Sequence, residues 1–290
     1  MEAMYDRRSA VDGCNASRYK SAGKHGWDLP LHCLVFSGPP RLATMNLRDN
    51  LFLFRTRLKY LSSIRRRVLA DSPYKQHVYV PQHNLVYFST PKAACTSIKS
   101  LLGELLSFPA DQSPHDHPFP KLAPEDFLEK LQVVHSFAVV REPVSRLVSG
   151  YKSMVLRPVH DQHYFHGVFR PLVKYGGFQH AMSFEDFCQR VVQIPDRAAD
   201  PHFRSQTVCV SDPNHGCLPS HLFRFDTMMD EIPVFLAEIT NQEITLLKRN
   251  YTTDMSVNTE LSAKCYAQIR RRYEADFSLY EGIYPLKKSA

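Results

Sequence analysis

The sequence of 290 residues is poor in glycine and has no internal repeat, no sustained heptad pattern and no long apolar run. With only 11 glycines it is neither collagen-like nor of low complexity, and the absent heptads exclude a coiled coil. The longest apolar stretch near the N-terminus, Leu29 to Phe36, is interrupted by Pro30 and His32. Because a membrane-spanning helix needs about 20 apolar residues, we expect a soluble protein.

Paired cysteine motifs and a secretory signal are also missing. The chain has 7 cysteines and no Cys-x-x-Cys, which argues against a disulfide scaffold. Cys209 and Cys217 can pair across a loop in an oxidising compartment, or remain free thiols. No basic segment followed by an apolar run and a small-residue cleavage site opens the chain, so we expect a cytoplasmic protein.

The net charge of +7 is concentrated at one end of the chain. Residues 1–70 hold 13 basic and 5 acidic residues, whereas the remainder holds 23 basic and 24 acidic residues. A nucleic-acid-binding domain spreads its basic excess over the fold, so we expect no nucleic acid partner.

Composition and periodicity divide the chain into three parts. Residues 1–44 lack periodicity and predict a flexible leader, and residues 71–290 contain the alternating strands and helices of one catalytic domain. Between them, residues 45–70 predict a basic amphipathic helix. Its apolar positions are Leu47, Leu51, Phe54, Leu58, Leu61, Ile64 and Val68. Over 46–69 this helix can either dock with a solvated basic face or contact a membrane surface or a polyanion.

Buried strands alternate with helices after residue 78, which predicts a three-layer α/β fold with a central parallel sheet flanked by helices. The predicted strands are Leu85–Phe88, Phe137–Val140 and Leu222–Phe225. Predicted helices follow Cys95, lie near Pro124–Leu131, begin at Pro143, and cover Phe184–Val192, Asp226–Ile239 and Glu260–Phe277.

The turn after the first of these strands has the composition of an anion-binding site. It contains Lys92, the small residues Ala93 and Ala94, then Cys95, Thr96 and Ser97 at the start of a helix. Amide groups at a helix N-terminus bind anions, and the hydroxyl and ammonium groups add donors. The turn is not a Walker motif, because it has no glycine and its lysine precedes the turn, so an ordinary helix start is the alternative.

A second candidate site follows the next strand. Arg141 leaves the strand end, and Ser149 lies about two helical turns further on. A guanidinium group and a hydroxyl group suit a second phosphate, although Arg141 can also pair with Glu142. Since ligands bind at the carboxyl ends of parallel strands, the two turns together suit a nucleotide phosphorylated at both ends.

These segments resemble the sulfotransferases, in particular the carbohydrate branch called sulfotransferase family 2. The matching stretches are PKAACTS at 91–97, REPVSRLVSGY at 141–151, DPHFRSQ at 200–206 and YEADFSLY at 273–280. The resemblance covers about residues 78–282 and implies a P-loop-like fold. The chain has Phe203 where membrane-bound relatives usually have Trp, and it lacks their N-terminal anchor. If the chain is a relative that has lost its anchor, the Golgi lumen is the alternative location.

The resemblance implies in-line transfer of a sulfuryl group from 3′-phosphoadenosine 5′-phosphosulfate (PAPS) to a carbohydrate hydroxyl, with no metal. Lys92 then stabilises the leaving phosphate, and His202 is the catalytic base, with Glu142 and His135 as competitors. Cofactor-binding positions are Lys92, Ala93, Ala94, Cys95, Thr96, Ser97, Arg141 and Ser149. We expect loops 108–123 and 156–182 to line the acceptor side.

Other interpretations remain open at this point. His160, His163 and His166 can bind a metal, but their spacing spreads them around a helix. Cys95 can be a reactive thiolate or a small filler beside phosphate. For the whole chain, the alternatives are another P-loop-like transferase, such as a kinase, and a non-enzymatic polyanion- or membrane-binding module.

Overall fold

The computed structural model describes residues 51, 53–56, 76–156, 163–247 and 256–283. The strands are, in chain order, β1 (His77–Val80), β2 (Leu85–Phe88), β3 (His135–Val140), β4 (Tyr164–Phe165), β5 (Val168–Phe169), β6 (Ser211–Asp212), β7 (Gly216–Cys217) and β8 (His221–Arg224). The α-helices are α1 (Cys95–Leu105), α2 (Phe127–Leu131), α3 (Pro143–Met154), α4 (Arg170–Val173), α5 (Phe184–Val192), α6 (Thr207–Val210), α7 (Met228–Thr240), α8 (Ala263–Arg272) and α9 (Glu274–Glu281).

The central sheet has the strand order β1-β2-β3-β8. β2 pairs with β3 and β3 with β8 in parallel, but β1 is antiparallel to β2. The predicted mixed α/β fold with a central sheet flanked by helices is therefore confirmed, whereas the expectation of an all-parallel sheet is wrong at one edge. A 3-10 turn at Pro81–His83 makes β1 and β2 a hairpin, which leaves β1 as an antiparallel edge strand. The P-loop-like assignment stays a prediction.

Both faces of the sheet are covered because its strands are apolar at successive positions. In β2 and β3, Tyr87 and Phe137 pack in one cluster with residues of α1 and α7. Phe88 and Ala138 face the other way, toward a cluster that includes residues of α2 and α6. Since successive strand side chains point to opposite faces, a run of buried residues requires a helical layer on each side.

A further core cluster lies among α3, α5 and α8, in which α5 contacts both of the other helices. Ser183 caps the N-terminus of α5 and Ser262 caps that of α8. The predicted single last helix is two helices, α8 and α9, with the break at Tyr273. The Tyr273 hydroxyl is buried and donates to the Phe203 carbonyl at 2.5 Å, so the break joins the C-terminal helices to the segment of Phe203.

The leader at 1–44 and most of the basic helix predicted at 45–70 lie outside the described residues. Position 51 and positions 53–56 are helical. Leu51 and Phe54, which the sequence assigns to the apolar stripe, are exposed, whereas Leu53 packs on the core of α3, α5 and α8. Within the described part of the chain, no helix combines the length and apolar character needed to cross a membrane.

Candidate functional site

The turn between β2 and α1 has a strained main chain without any glycine. Lys92 and Ala94 have φ angles of 67° and 61°, in the left-handed region that costs about 1 kcal/mol or more for residues with a Cβ. The Thr90 hydroxyl anchors the turn by donating to the Val139 carbonyl of β3. Ala94 gives α1 no side-chain cap, so an anion can serve as the partner of the first amide groups. Strain of this kind is typical of ligand-binding turns.

Two side chains of this turn reach other elements. Lys92 Nζ donates to Ser153 Oγ of α3 at 2.8 Å, and Ser153 Oγ in turn donates to the Gly150 carbonyl. Thr96 Oγ1 lies 3.0 Å from Nε2 of His115, a residue of the long segment that follows α1. The turn is thus in contact with α3 on one side and with the 108–123 loop on the other.

Arg141 begins the second turn, directly after β3, and contacts the first. Its Nη1 donates to the Lys92 carbonyl at 3.2 Å, and its guanidinium group lies 4.1 Å from the centre of the Phe225 ring. Burial lowers the pKa of Arg141, against the opposing effect of Asp226. The buried Nε has no hydrogen-bond partner among the described residues, so this guanidinium group retains donor capacity for an anion.

A buried carboxylate supports Arg141 through one intermediate residue. The side chain of Gln206 exchanges two hydrogen bonds with the main chain of Arg141, at 2.9 and 2.7 Å. Asp276 of α9 accepts from the amide of Gln206 and from the amide and hydroxyl of Thr207. Burial raises the pKa of Asp276, and nearby Arg146 acts against that rise. The C-terminal helix thereby fixes the main chain at Arg141.

His202 is hydrogen-bonded to the buried carboxylate of Asp200. His202 Nδ1 lies 2.6 Å from Asp200 Oδ1, and the same oxygen accepts from the His202 amide at 3.0 Å. Because a carboxylate only accepts, Nδ1 carries the proton and Nε2 is the nitrogen that can accept one. Burial alone raises the pKa of Asp200, but the hydrogen bonds and charge of His202 outweigh it and hold that pKa below its usual range. The side chain of Asp200 is 7% exposed and that of His202 is 37% exposed.

Both turns and His202 open onto one cavity of about 890 Å³. His115 and Lys121 of the predicted 108–123 loop also line it. Tyr164 of β4 and Phe169 of β5 line it too, so the prediction of a loop over 156–182 is wrong for the part that forms β4, β5 and α4. Basic side chains dominate the charged lining. They are Lys92, Lys99, Lys121, Arg141 and Lys152, facing the carboxylate of Asp226. Such a lining suits a polyanionic ligand.

The pKa shifts along the cavity reflect burial and, for Lys121 and His115, nearby like charges. Burial, together with the charge of Lys99, lowers the pKa of Lys121 to about 8. Burial lowers the pKa of Lys99 and of His115 as well, and for His115 the charges of Lys99 and His202 act in the same direction. A bound anion would relieve this repulsion and favour the charged lysines.

Most residues that the sequence indicated as site residues line this cavity. They are Lys92, Ala94, Cys95, Thr96, Ser97, Arg141, Ser149 and His202. Ala93 does not line it, because its side chain is fully buried in the cluster that includes α1 and α7. Of the competitors for the base, His135 starts β3 and so lies about 17 Å from the strand end that carries Arg141. Glu142 caps α3 and accepts from the amides of Val144 and Ser145.

Several lining residues carried no sequence signal of their own. Lys99 lies one turn beyond the predicted phosphate turn, Ser153 and Lys152 lie at the end of α3, and Asp226 follows β8. No local motif marks them, because they reach the cavity only once the helices have packed. For α1 and α3, helical spacing of three or four residues from Cys95 and Ser149 was the signal that could have found them.

The histidine cluster and the cysteines, for which the sequence left alternatives open, lie partly within the described residues. His160 lies outside the described residues, and no group of three or more histidine, cysteine or acidic residues in the described part is arranged to hold a metal ion. Cys209 and Cys217 are not joined to each other in a disulfide bond. Burial raises the pKa of Cys209 to about 11. Cys95 lines the cavity.

Comparison with known proteins gives a family and a partial relative. A family model described as "Sulfotransferase family" matches residues 75–285. Carbohydrate sulfotransferase 11 from Danio rerio is 32% identical over 104 residues, which cover 32% of this chain and 30% of that protein. The match therefore spans about a third of the curated relative. No solved structure matches the chain significantly.

Proposed function

The chain belongs to the sulfotransferase family, and on that premise we propose that it transfers a sulfuryl group from PAPS to a hydroxyl group of a carbohydrate acceptor. One observation carries the proposal. Two turns at the ends of adjacent parallel strands, each with a cationic side chain, open onto the same cavity beside a histidine. A donor with phosphate groups at both ends of an adenosine requires this kind of arrangement.

The residues near each turn suggest how the donor is held. The start of α1, with Thr96 and Ser97, would bind the 5′-phosphosulfate, and Arg141 with Ser149 would bind the 3′-phosphate. The unpartnered Nε of Arg141 and the basic lining of the cavity support this assignment. The chain's own cations neutralise the donor, so no metal has a role in the proposal.

The proposed reaction is an in-line displacement at sulfur. The acceptor oxygen forms a bond to sulfur while the bond between sulfur and the 5′-phosphate oxygen breaks. The hydroxyl proton goes to Nε2 of His202, and 3′-phosphoadenosine 5′-phosphate leaves. Lys92 would stabilise the charge that grows on the leaving phosphate, and Asp200 would stabilise the imidazolium that forms.

A carbohydrate acceptor is the second part of the proposal. It is supported by the partial similarity to carbohydrate sulfotransferase 11 and by the aromatic side chains of Tyr164 and Phe169 on the side of the cavity that holds His202. Radiolabelled transfer from PAPS to a panel of p-nitrophenyl glycosides and desulfated polysaccharides tests it. Labelling of phenols or sterols but of no carbohydrate in a parallel panel would reject the carbohydrate acceptor.

Calorimetry tests the donor with matched ligands. We expect 3′-phosphoadenosine 5′-phosphate to bind wild type in the micromolar range, and Arg141→Ala to weaken it by about 2–3 kcal/mol, which is about 30- to 150-fold. Arg141→Ala should leave the affinity for adenosine 5′-phosphate, which lacks the 3′-phosphate, almost unchanged. Lys92→Ala should weaken both nucleotides.

Arg224 provides the control for Arg141. It ends the adjacent strand β8 and lies 4.7 Å from the Tyr280 ring, as Arg141 lies over Phe225, but it does not line the cavity. Arg224→Ala should therefore bind 3′-phosphoadenosine 5′-phosphate as wild type does. If wild type does not distinguish the two nucleotides, the proposed donor is wrong.

A further inference from the structure

Arg146 of α3 is a buried cation whose guanidinium group bonds to main-chain carbonyls of two separate segments. Its Nε donates to Pro91 at 2.9 Å, and its two terminal nitrogens donate to Arg204 at 2.7 Å and to Pro201 at 3.1 Å. The residue is 2% exposed. Pro91 immediately precedes Lys92, and Pro201 immediately precedes His202. One rigid planar group therefore contacts the main chain next to each of these two side chains.

The shape of the guanidinium group matters as much as its charge. Five N–H donors in a fixed plane can satisfy three carbonyls that approach from different directions, whereas an ammonium group on a flexible stem cannot fix all three. A buried charge is weak evidence for stability, since a protein with an apolar side chain of similar volume in its place is often as stable. What an apolar side chain cannot do is hold two loops at a set separation.

The surroundings of Arg146 support this arrangement electrostatically. Its charge acts on Asp276, the buried carboxylate that caps α6 next to Gln206. Gln206 in turn holds the main chain of Arg141. The Arg146 guanidinium group therefore lies close to the main chain before Lys92, to the main chain before His202, and to Asp276, which with Gln206 holds Arg141. It does not line the cavity itself.

We propose that Arg146 is the positioning residue that sets the separation of Lys92 and His202. This rests on the proposed function, because it assigns Lys92 to the leaving phosphate and His202 to the acceptor hydroxyl. If the two loops move independently, each side chain still binds its partner, but the in-line geometry is lost. A displacement of about 1 Å can lower the rate about 100-fold.

A double-mutant cycle tests the role. The variants are Arg146→Lys, His202→Asn and the double variant, assayed by transfer from PAPS to the best acceptor of the carbohydrate panel. We expect Arg146→Lys to lower kcat about 100-fold and to weaken 3′-phosphoadenosine 5′-phosphate less than about threefold. In the His202→Asn background, Arg146→Lys should lower kcat by less than about threefold, because residues that act as a unit are not additive.

Arg272 of α8 is the matched control. Its side chain is 13% exposed, and it likewise donates to a main-chain carbonyl, that of Ile194, and to the carboxylate of Asp196 at 2.5 Å. Arg272→Lys should lower the melting temperature but keep the kcat of the folded protein within about threefold of wild type.

Three outcomes would overturn the positioning role: additive losses of kcat in the cycle, an affinity loss as large as the kcat loss, or failure of both Arg146→Lys and Arg146→Gln to fold while Arg272→Lys folds. The last would assign Arg146 to stability alone. A failure of the proposed function looks different, since wild type itself would then transfer no sulfuryl group to any acceptor, and the positioning role would fall with it.

Discussion

Asp200 illustrates, at the scale of single residues, how a carboxylate can prepare a histidine for proton transfer. It accepts from Nδ1 and from the amide of the same residue, His202, and so fixes both the tautomer and the ring orientation. We expect Asp200→Asn to lower kcat at least tenfold, because an amide side chain can present its NH₂ group to Nδ1 and favour the wrong tautomer. Steady-state transfer assays with saturating PAPS measure this.

A similar pair elsewhere provides the comparison. His215 Nδ1 lies 2.8 Å from Asp212 Oδ1 on the β6–β7 hairpin, and neither residue lines the cavity. Asp212→Asn should leave kcat unchanged. Equal rates for Asp200→Asn and wild type would show that His202 is not oriented through its carboxylate.

We expect Lys121 to make the affinity for the proposed nucleotide depend on pH. Since burial and Lys99 lower its pKa to about 8, Lys121 is charged below that pH and neutral above it. A bound polyanion favours the charged form and raises its pKa, so binding takes up protons near pH 8 to 9. We therefore expect the affinity for 3′-phosphoadenosine 5′-phosphate to fall by about three- to tenfold from pH 7 to pH 9.

Calorimetry in two buffers of different ionisation enthalpy at pH 8.5 detects the proton uptake directly. Lys121→Met should abolish most of it and flatten the pH dependence. Lys130→Met should change neither, because Lys130 is exposed and pairs with Asp126 on the surface. An affinity that stays constant up to pH 9 in wild type would mean that the anion does not reach Lys121.

At the scale of elements, we expect the cap of α6 to connect stability to the proposed nucleotide site. Asp276 is fully buried and accepts three hydrogen bonds from Gln206 and Thr207. We expect Asp276→Asn to cost about 3 kcal/mol of the free energy of unfolding, because one N–H donor would then face the NH₂ group. Through Gln206 the change should also weaken 3′-phosphoadenosine 5′-phosphate about tenfold. Urea unfolding and calorimetry measure the two effects.

Ser183→Ala separates stability from affinity. Ser183 caps α5 by accepting from the Asp186 amide at 3.1 Å, and it does not line the nucleotide cavity. Its loss should cost about 1 kcal/mol of stability and leave nucleotide affinity unchanged. If Asp276→Asn binds the nucleotide as wild type does, Gln206 holds Arg141 without help from α9.

The elements that the sequence predicted share a strong local signal. β2 and β3 are runs of buried residues, Pro143 marks the start of α3, and Ser183 caps α5, so each is visible without tertiary information. β1 was missed because its four residues form the edge of a hairpin and follow a segment without periodicity. The break between α8 and α9 at Tyr273 was missed because it accompanies a tertiary contact that no local pattern shows. This contact is the hydrogen bond from the Tyr273 hydroxyl to the carbonyl of Phe203, 70 residues away.

The same limit applies to the site. Lys92, Arg141 and His202 belong to motifs whose residue types indicate anion binding and proton transfer. Arg146 lies inside one of these motifs, yet its partners are main-chain carbonyls 55 to 58 residues away. Because every residue has a main-chain carbonyl, the sequence does not identify these partners. Lys99 and Lys121 likewise line the cavity only because α1 and the 108–123 loop meet in the folded chain.

For the whole molecule, two sets of basic residues have different consequences. Residues 1–70 account for the net positive charge, whereas five basic side chains line the cavity within a remainder of the chain that is close to neutral. The cavity cations suffice for a polyanionic donor in the proposed function. We therefore expect the basic N-terminal part to contribute to retention on a polyanion, such as a heparin column, but not to nucleotide binding.

Removing residues 1–70 tests that division. The remaining chain, 71–290, contains the whole segment matched by the family model, so we expect its affinity for 3′-phosphoadenosine 5′-phosphate to stay within about twofold of the full chain. It should elute from heparin at lower salt, because 13 basic residues are gone. Its melting temperature should fall by about 2–4 °C, because the half-buried Leu53 no longer packs on the core of α3, α5 and α8.

Leu53→Ser in the full chain is the control for that last effect, since it removes the packing and keeps the charge. It should reproduce the lower melting temperature while heparin retention and nucleotide affinity stay as in wild type. Loss of nucleotide binding in 71–290, with binding intact in Leu53→Ser, would instead make the basic segment part of the proposed nucleotide site. The non-enzymatic polyanion-binding alternative makes the opposite prediction, because it places the function in the part that the truncation removes.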